Sequence, residues 1–177
     1  MKLKNFQIHA KSEFTRRCIG EAIIRLMEKT EFVKLKISDI VKKAGVSRTT
    51  FYKYYTSTYE VLTDYLSIIV SEFLMEGEES GNNQYFEDSH ILFSFHFFDR
   101  YADFFLTLSK HKLHSIMLEG VNEFMKKHIQ PARSVTIYQL YAYAGALLNS
   151  FLMWEEGGKQ EPVEEIAANL KHIVQTT

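Results

Sequence analysis

The sequence has little of what would cut a chain of this length into strands. Its 177 residues include two prolines and eight glycines, too few turn formers for a sandwich or barrel of many short strands. The single cysteine, Cys18, excludes an internal disulfide. Its place among helix-spaced apolar residues predicts burial, and a reducing cytoplasm fits that usage. The opening "MKLKNFQIHAKSEF" lacks the uninterrupted apolar core of a secretory signal and reads as a loose basic arm. There is no P-loop, G-x-G-x-x-G, nucleophile elbow or H-E-x-x-H. A non-enzyme without cofactor is therefore expected.

What is present points to helices. Hydrophobic residues make up 46% of the chain, enough for a sizeable core, and they recur mostly at three- and four-residue spacing, which predicts an all-α fold. Charge is divided along the chain: up to Thr58 there are 13 Lys and Arg against 5 Asp and Glu, and beyond it 8 against 17. The first part attracts polyanions and the second repels them. Two solvated surfaces attracting each other are the alternative reading of the same split.

The spacing predicts a first helix from Ser12 or Thr15 to Lys29, with Ile19, Ala22, Ile23, Leu26 and Met27 on its apolar face. A second begins near Ser38, turns Ile37, Ile40, Val41 and Ala44 inward, and stops at Gly45, a residue that takes a left-handed conformation cheaply. Ser47 then stands where an N-cap belongs for a helix carrying "RTTFYKYY". Phe51 and Tyr55, four apart, share its packing face, leaving Arg48, Thr49, Tyr52 and Lys53 outside. A long helix follows from Thr58 to Met75. Residues 76–90 are acidic and without period and read as the main loop.

Beyond it, the aromatic run from Ile91 to Phe105 continues in helical spacing towards a boundary at Pro131. Ser134 to Trp154 carries no charge. Its polar residues, unmarked flanks and the amphipathic helix that follows argue against a membrane span. A helix apolar all round is a buried one, and a homodimer interface is a way to bury it. The last helix is read from Pro162 to Val174, with the proline at its first position.

Two further signals have plain explanations. His111 and His114, three apart, offer two imidazoles, but no cysteine or carboxylate joins them at ligand spacing, and no metal is expected. The rings of Phe93, Phe95, Phe97, Phe98, Tyr101, Phe104 and Phe105 cannot all point one way from one helix. They are core, or they are in part the wall of an apolar pocket together with Met117 and Tyr141.

Residues 37–55 carry more than structure explains. The outward side of their second helix offers Arg, Thr, Lys and Tyr with no carboxylate, a set suited to phosphate oxygens and base edges, as in a helix-turn-helix whose second helix enters the major groove. The stretch "KISDIVKKAGVSRTTFYKYYTSTYEVL" resembles the DNA-binding signature of the TetR-type transcriptional regulators, and with the preceding helix the likeness covers about Thr15 to Leu66. It departs from the pattern at Thr49, where the family often has glycine, and at Thr58, commonly a lysine.

The resemblance implies an all-α homodimer on a palindromic DNA operator. A three-helix DNA-binding domain, residues 1–57, would precede an effector-binding and dimerisation domain, residues 58–177. DNA contacts fall on Ser47, Arg48, Thr49, Thr50, Tyr52, Lys53 and Tyr54, with Lys36 and Ser38 at backbone phosphate. Phe97, Tyr101, Phe105, Met117 and Tyr141 are the candidate ligand-binding residues for an unknown small molecule. The implied function is a repressor released from its operator by that molecule. An activator or co-regulator, and a sensor acting through a protein partner, are the alternatives.

Overall fold

Nine α-helices and no strand form among the described residues, which in the computed structural model are 2–128 and 136–175. In order they are α1 (Lys2–Met27), α2 (Ile37–Ala44), α3 (Arg48–Tyr54), α4 (Thr58–Glu79), α5 (Asp88–Asp99), α6 (Ala102–Lys110), α7 (His114–His128), α8 (Ile137–Glu156) and α9 (Val163–Gln175), with a 3-10 turn at Phe32–Lys34. The all-α expectation holds. By their contacts these elements form two units, Met1–Ile68 and Ile69–Thr177.

The core of the first unit is built by Ile19, Ile23 and Met27 of α1, Ile40 of α2, Phe51 of α3 and Val61, Leu62 and Leu66 of α4, all almost fully buried. The inward face of α1 is the one its spacing predicts, yet the helix begins at Lys2 and not at Ser12 or Thr15. No proline or glycine interrupts residues 2–14, so the expected loose arm continues the helix. Cys18 is half-buried, not buried. Gly20 lets α1 and α4 approach closely: a Cβ there would lie 2.5 Å from Cγ and 2.8 Å from Cβ of Tyr65. Those atoms sit next to the α4 backbone and have little room to move.

In the second unit α5 packs on α8 and α9, α6 on α7 and α8, and α7 and α9 on α8. The expected loop at 76–90 is shorter, because α4 continues to Glu79 and α5 starts at Asp88. The aromatic run is not one helix. It breaks at Arg100 and Tyr101, where the Arg100 guanidinium stacks on Phe97 at 4.2 Å and forks onto Glu76 of α4 at 2.9 and 3.0 Å, while the Tyr101 hydroxyl donates to Glu72. A second break at 111–113 turns on Lys112, held at φ 58°. His111 caps α6 and His114 opens α7, so the two imidazoles do not share a helix face. Among the described residues no group of three or more His, Cys, Asp or Glu is placed to hold a metal ion.

α8 opens with a reciprocal cap. The Thr136 hydroxyl accepts from the Gln139 N–H at 3.3 Å, and the Gln139 side chain accepts from the Thr136 N–H at 2.8 Å. The helix is not buried all round within one chain. Leu140, Tyr143, Phe151, Leu152 and Trp154 face inward, whereas Tyr138 is 81% and Met153 77% exposed, with Ala142 and Asn149 exposed between them. Among the described residues no helix is long and apolar enough to cross a membrane. Pro162 stands one position ahead of α9, its carbonyl accepting from Ile166 N–H. The boundary expected at Pro131 lies outside the described residues.

The buried His90 of α5 has its pKa pulled down to about 4 by desolvation. Two outcomes follow from these packing arrangements. Gly20→Ala should destabilise the chain by about 1–3 kcal/mol in urea denaturation, the overpacking range. For His90, the folded-state pKa lies below the ordinary 6.5. Its contribution is therefore intact above about pH 6.5 and is lost as pH falls from there towards 4, at about 1.4 kcal/mol per unit. His90→Phe, compared with the wild type in urea melts at pH 7.5, 5.5 and 4.5, should remove that part of the slope. Parallel losses in the two proteins would show that His90 does not carry it.

Candidate nucleic-acid interface

The interface is assembled around a tight turn. Gly45 ends α2 in the left-handed region at φ 68°, ψ 29°, and its N–H bonds back to Lys42, while the Val46 N–H returns to the Val41 carbonyl at 3.0 Å. The chain then straightens through Ser47, whose Oγ accepts the Thr50 N–H at 3.0 Å and lies 2.8 Å from the Thr50 hydroxyl. One N–H at the start of α3 is thus satisfied by a local side chain.

α3 has seven residues and one root. Phe51 is fully buried, with Tyr52 edge-on at 5.6 Å and Tyr55 at 5.7 Å between ring centroids. Tyr55, which caps the C-terminal end of α3, buries its ring and donates its hydroxyl to Asp64 Oδ2 of α4 at 2.6 Å. Arg16 of α1 forks onto the same carboxylate, Nε to Oδ2 at 2.7 Å and a terminal nitrogen to Oδ1 at 2.5 Å. Burial first, then the neighbouring Asp64, pushes the Tyr55 pKa well up, so the phenol remains a donor. The Arg16 pKa is raised chiefly by its bond to Asp64. Beside this junction Tyr54, Tyr55, Glu60, Thr63, Asp64 and Ser67 line an open polar cavity of about 300 Å³.

α4 starts with its own cap: Glu60 N–H bonds Ser57 Oγ at 3.2 Å, and the Glu60 carboxylate takes the Thr56 hydroxyl at 2.5 Å and the Thr56 N–H at 2.7 Å. The Thr56 hydroxyl, then its N–H, holds the Glu60 carboxyl below the usual range. The segment from Ser47 to Ser57 is thereby tied down at both ends.

Of the residues singled out in the sequence, Ser47, Arg48, Thr49, Tyr52 and Lys53 are exposed, Tyr52 at 58%. Thr50 and Tyr54 are half-buried. The Thr50 hydroxyl is engaged by Ser47, and the Lys53 ammonium lies over the Tyr54 ring, 5.4 Å from its centroid. Lys36, at the N-cap of α2, is exposed, as are Lys42 and Lys43 on its last turn. Ser38 is half-buried, with its hydroxyl 3.4 Å from Asp39. No carboxylate lies on α3.

The five candidate ligand residues of the second unit are dispersed by comparison. Phe97 and Tyr101 lie 5.5 Å apart, Phe105 packs on Phe98 and Phe151, Met117 is buried in α7, and Tyr141 of α8 donates to the Asn122 carbonyl of α7 at 3.3 Å. The sequence reading missed the Arg16–Asp64–Tyr55 junction. Its one local signal was a hydroxyl on the packing face of α3, where phenylalanine would pack as well; a buried Tyr needs a partner.

Residues 19–64 match the model of a family described as bacterial regulatory proteins, tetR family. Among curated proteins none matches the chain. A solved structure, the dihydroxyacetone kinase operon activator DhaS, is similar with a TM-score of 0.54, covering 90% of this chain and 93% of that one at 17% identity; the likeness is one of fold.

Tyr55→Phe keeps the ring and removes the donor. It should cost about 1 kcal/mol of stability, the usual net worth of a hydrogen bond. Asp64→Ala should cost more, because it strips both Arg16 and Tyr55 of their acceptor. Thermal melts of the two variants check the order; equal losses would show that the tyrosine hydroxyl contributes as much as the whole junction.

Proposed function

We propose, from the match of residues 19–64 to the model of the tetR family of bacterial regulatory proteins, that the chain is a cytoplasmic, ligand-responsive transcriptional regulator and not an enzyme. It binds a palindromic operator as a homodimer and represses until a small molecule releases it. DNA binding is assigned to residues 1–57, and effector binding with dimerisation to residues 58–177. The observation that carries the reading is the outward side of α3: Arg48, Thr49, Tyr52 and Lys53 exposed, no carboxylate on the helix, and Phe51 buried beneath.

Roles follow from donor chemistry. Arg48, in the first turn of α3, has the fork to bond guanine O6 and N7, and Thr49 bonds phosphate or touches a thymine methyl. Tyr52 and Lys53 anchor the backbone with Lys36, fixing register without reading sequence. Ser47 and Thr50 hold the helix start, and Tyr54 supports Lys53. The exposed α8 side from Tyr138 to Met153 supports the dimer, because a second copy covers it with the same surface. Two recognition helices then reach successive major grooves, about 34 Å apart. A ligand that favours a dimer of different spacing weakens operator binding, and the operator weakens ligand binding by the same factor.

Selection of bound sequences from random duplexes by the purified protein tests the regulator reading; the absence of any selected half-site would overturn it. Reporter output with the operator beside a promoter separates repression from activation. Lys53→Ala should weaken binding to all sequences and lower the slope of log affinity against log salt by about one. An unchanged slope removes Lys53 from the phosphate contacts.

A further inference from the structure

Glu155, in the last turn of α8, is the one buried carboxylate among the described residues, with 3% of its side chain exposed. Its Oε1 accepts no hydrogen bond and lies 3.3 Å from the ammonium of Lys159. The same ammonium donates to Oδ1 of Asp99, the last residue of α5. Two carboxylates from two helices thus share one cation. That cation also lies over the Trp154 ring, 5.1 Å from its centroid.

Lys159 reaches this place from the turn that ends α8, where the N–H groups of Gly157, Gly158 and Lys159 return to the carbonyls of Met153, Glu155 and Trp154. Trp154 packs on Phe95 of α5 at 5.5 Å and donates its indole N–H to the Glu161 carbonyl at 2.9 Å. The ends of α5 and α8 and the connection to α9 therefore meet at one ammonium. Other charges nearby have their own positions. His96 stands on α5 one turn before Asp99 and is exposed, and Arg100 is forked onto Glu76. Glu156 turns to the Ser109 hydroxyl of α6 at 2.5 Å, with His114 Nε2 of α7 3.3 Å from that hydroxyl. On α9, Lys171 is held by Glu87 and Asp88, and Glu164, Glu165 and His172 are exposed.

With both carboxylates ionised the cluster carries one negative charge in excess, and a buried oxygen bears it without a donor. A proton on Glu155 removes the excess and leaves Asp99 and Lys159 as a balanced pair. We propose that Glu155, Asp99 and Lys159 form a proton-operated latch between the ends of α5 and α8, closed when the Glu155 carboxyl holds a proton and loosened when it loses it. The directions of titration agree with that arrangement. Burial first raises the Glu155 pKa above the ordinary 4.5, whereas the bond from Lys159 chiefly holds Asp99 below its ordinary 3.8. The stability that Glu155 contributes is thus complete at and below about pH 4.5 and is lost as pH rises through its raised value. That of Asp99 is present above about pH 3.8 and is lost as pH falls through its lowered value. Between the two the latch is closed, and a rise in pH frees the end of α8 and the turn that leads to α9.

The test titrates the full chain without DNA from pH 4.5 to 8. In the wild type, the side-chain carboxyl carbon of Glu155, followed by NMR, should titrate with a midpoint above 4.5, and the emission of Trp154, the one tryptophan of the chain, should change with the same midpoint. A midpoint at or below 4.5, or an emission that does not follow the carbon, overturns the proposal without recourse to any variant. Three substitutions then assign the charges. Glu155→Gln should flatten the emission curve at its acid value. Asp99→Asn, which removes the like charge, should move the Glu155 midpoint down by about half a unit or more, and Lys159→Met, which removes the cation, should move it up by about as much. Midpoints unmoved by both changes overturn the shared cluster. His96→Asn should leave the transition in place; its disappearance would assign the emission change to that imidazole and refute the latch. Operator selection is scored apart from this test, since the latch stands or falls whether or not the chain binds DNA.

Discussion

A helix of seven residues does not hold itself together in water, so the orientation of α3 depends on what anchors its inner side. Phe51 supplies most of that anchor by full burial, and the fixed helical period does the rest. Once Phe51 points inward, Arg48, Thr49, Tyr52 and Lys53 have only the outside left. The Ser47 cap sets where the helix begins, and Tyr55, drawn onto Asp64, sets where it ends. Local conformation, packing and the exposed chemistry are consequences of one buried ring and two terminal hydrogen bonds.

The Asp64 carboxylate shows how a polar group strengthens such an arrangement. It accepts from Arg16 on α1 and from Tyr55 at the end of α3 while belonging to α4, so three elements converge on two oxygens. The guanidinium and the carboxylate are both partly exposed, which weakens the Coulombic part, but the geometry of three bonds with distinct directions remains. The role is orientation more than bulk stability. Apolar contacts allow a helix to slide or roll by small amounts; a forked pair with a phenol on the same acceptor does not.

The parts of this fold that were legible in the sequence are those determined by near neighbours. Gly45, Ser47 and Phe51 announce turn, cap and root within a few residues, and the structure gives each of them that place. The junction of Arg16 with Asp64 spans 48 positions, and no local pattern encodes it. The same limit explains the helices of the second unit. Their breaks at Arg100 to Tyr101 and at Lys112 contain neither glycine nor proline; they lie where side chains are captured by α4 or where a lysine is held left-handed by its surroundings. At the other end, α1 extends to Lys2 because nothing in residues 2–14 forbids a helix, and basic composition was a poor guide to its absence.

The two units also differ in where they keep their polar chemistry, and this decides how readable each is. On α3 the polar and charged groups are outside, so the composition of one helical face is itself the signal. In the second unit the distinctive groups are inside: His90, Ser94 and Tyr143 form one hydrogen-bonded set among rings from four segments. A histidine or a serine in an apolar stretch carries no mark of its partner, and the aromatic pattern around them is equally that of ordinary core. The backbone supplies the missing information. Phe86 holds φ 71°, a turn that a glycine or asparagine would make with less strain. A phenylalanine there brings a ring to Tyr143, 4.6 Å between centroids, a contact that neither of those residues could make.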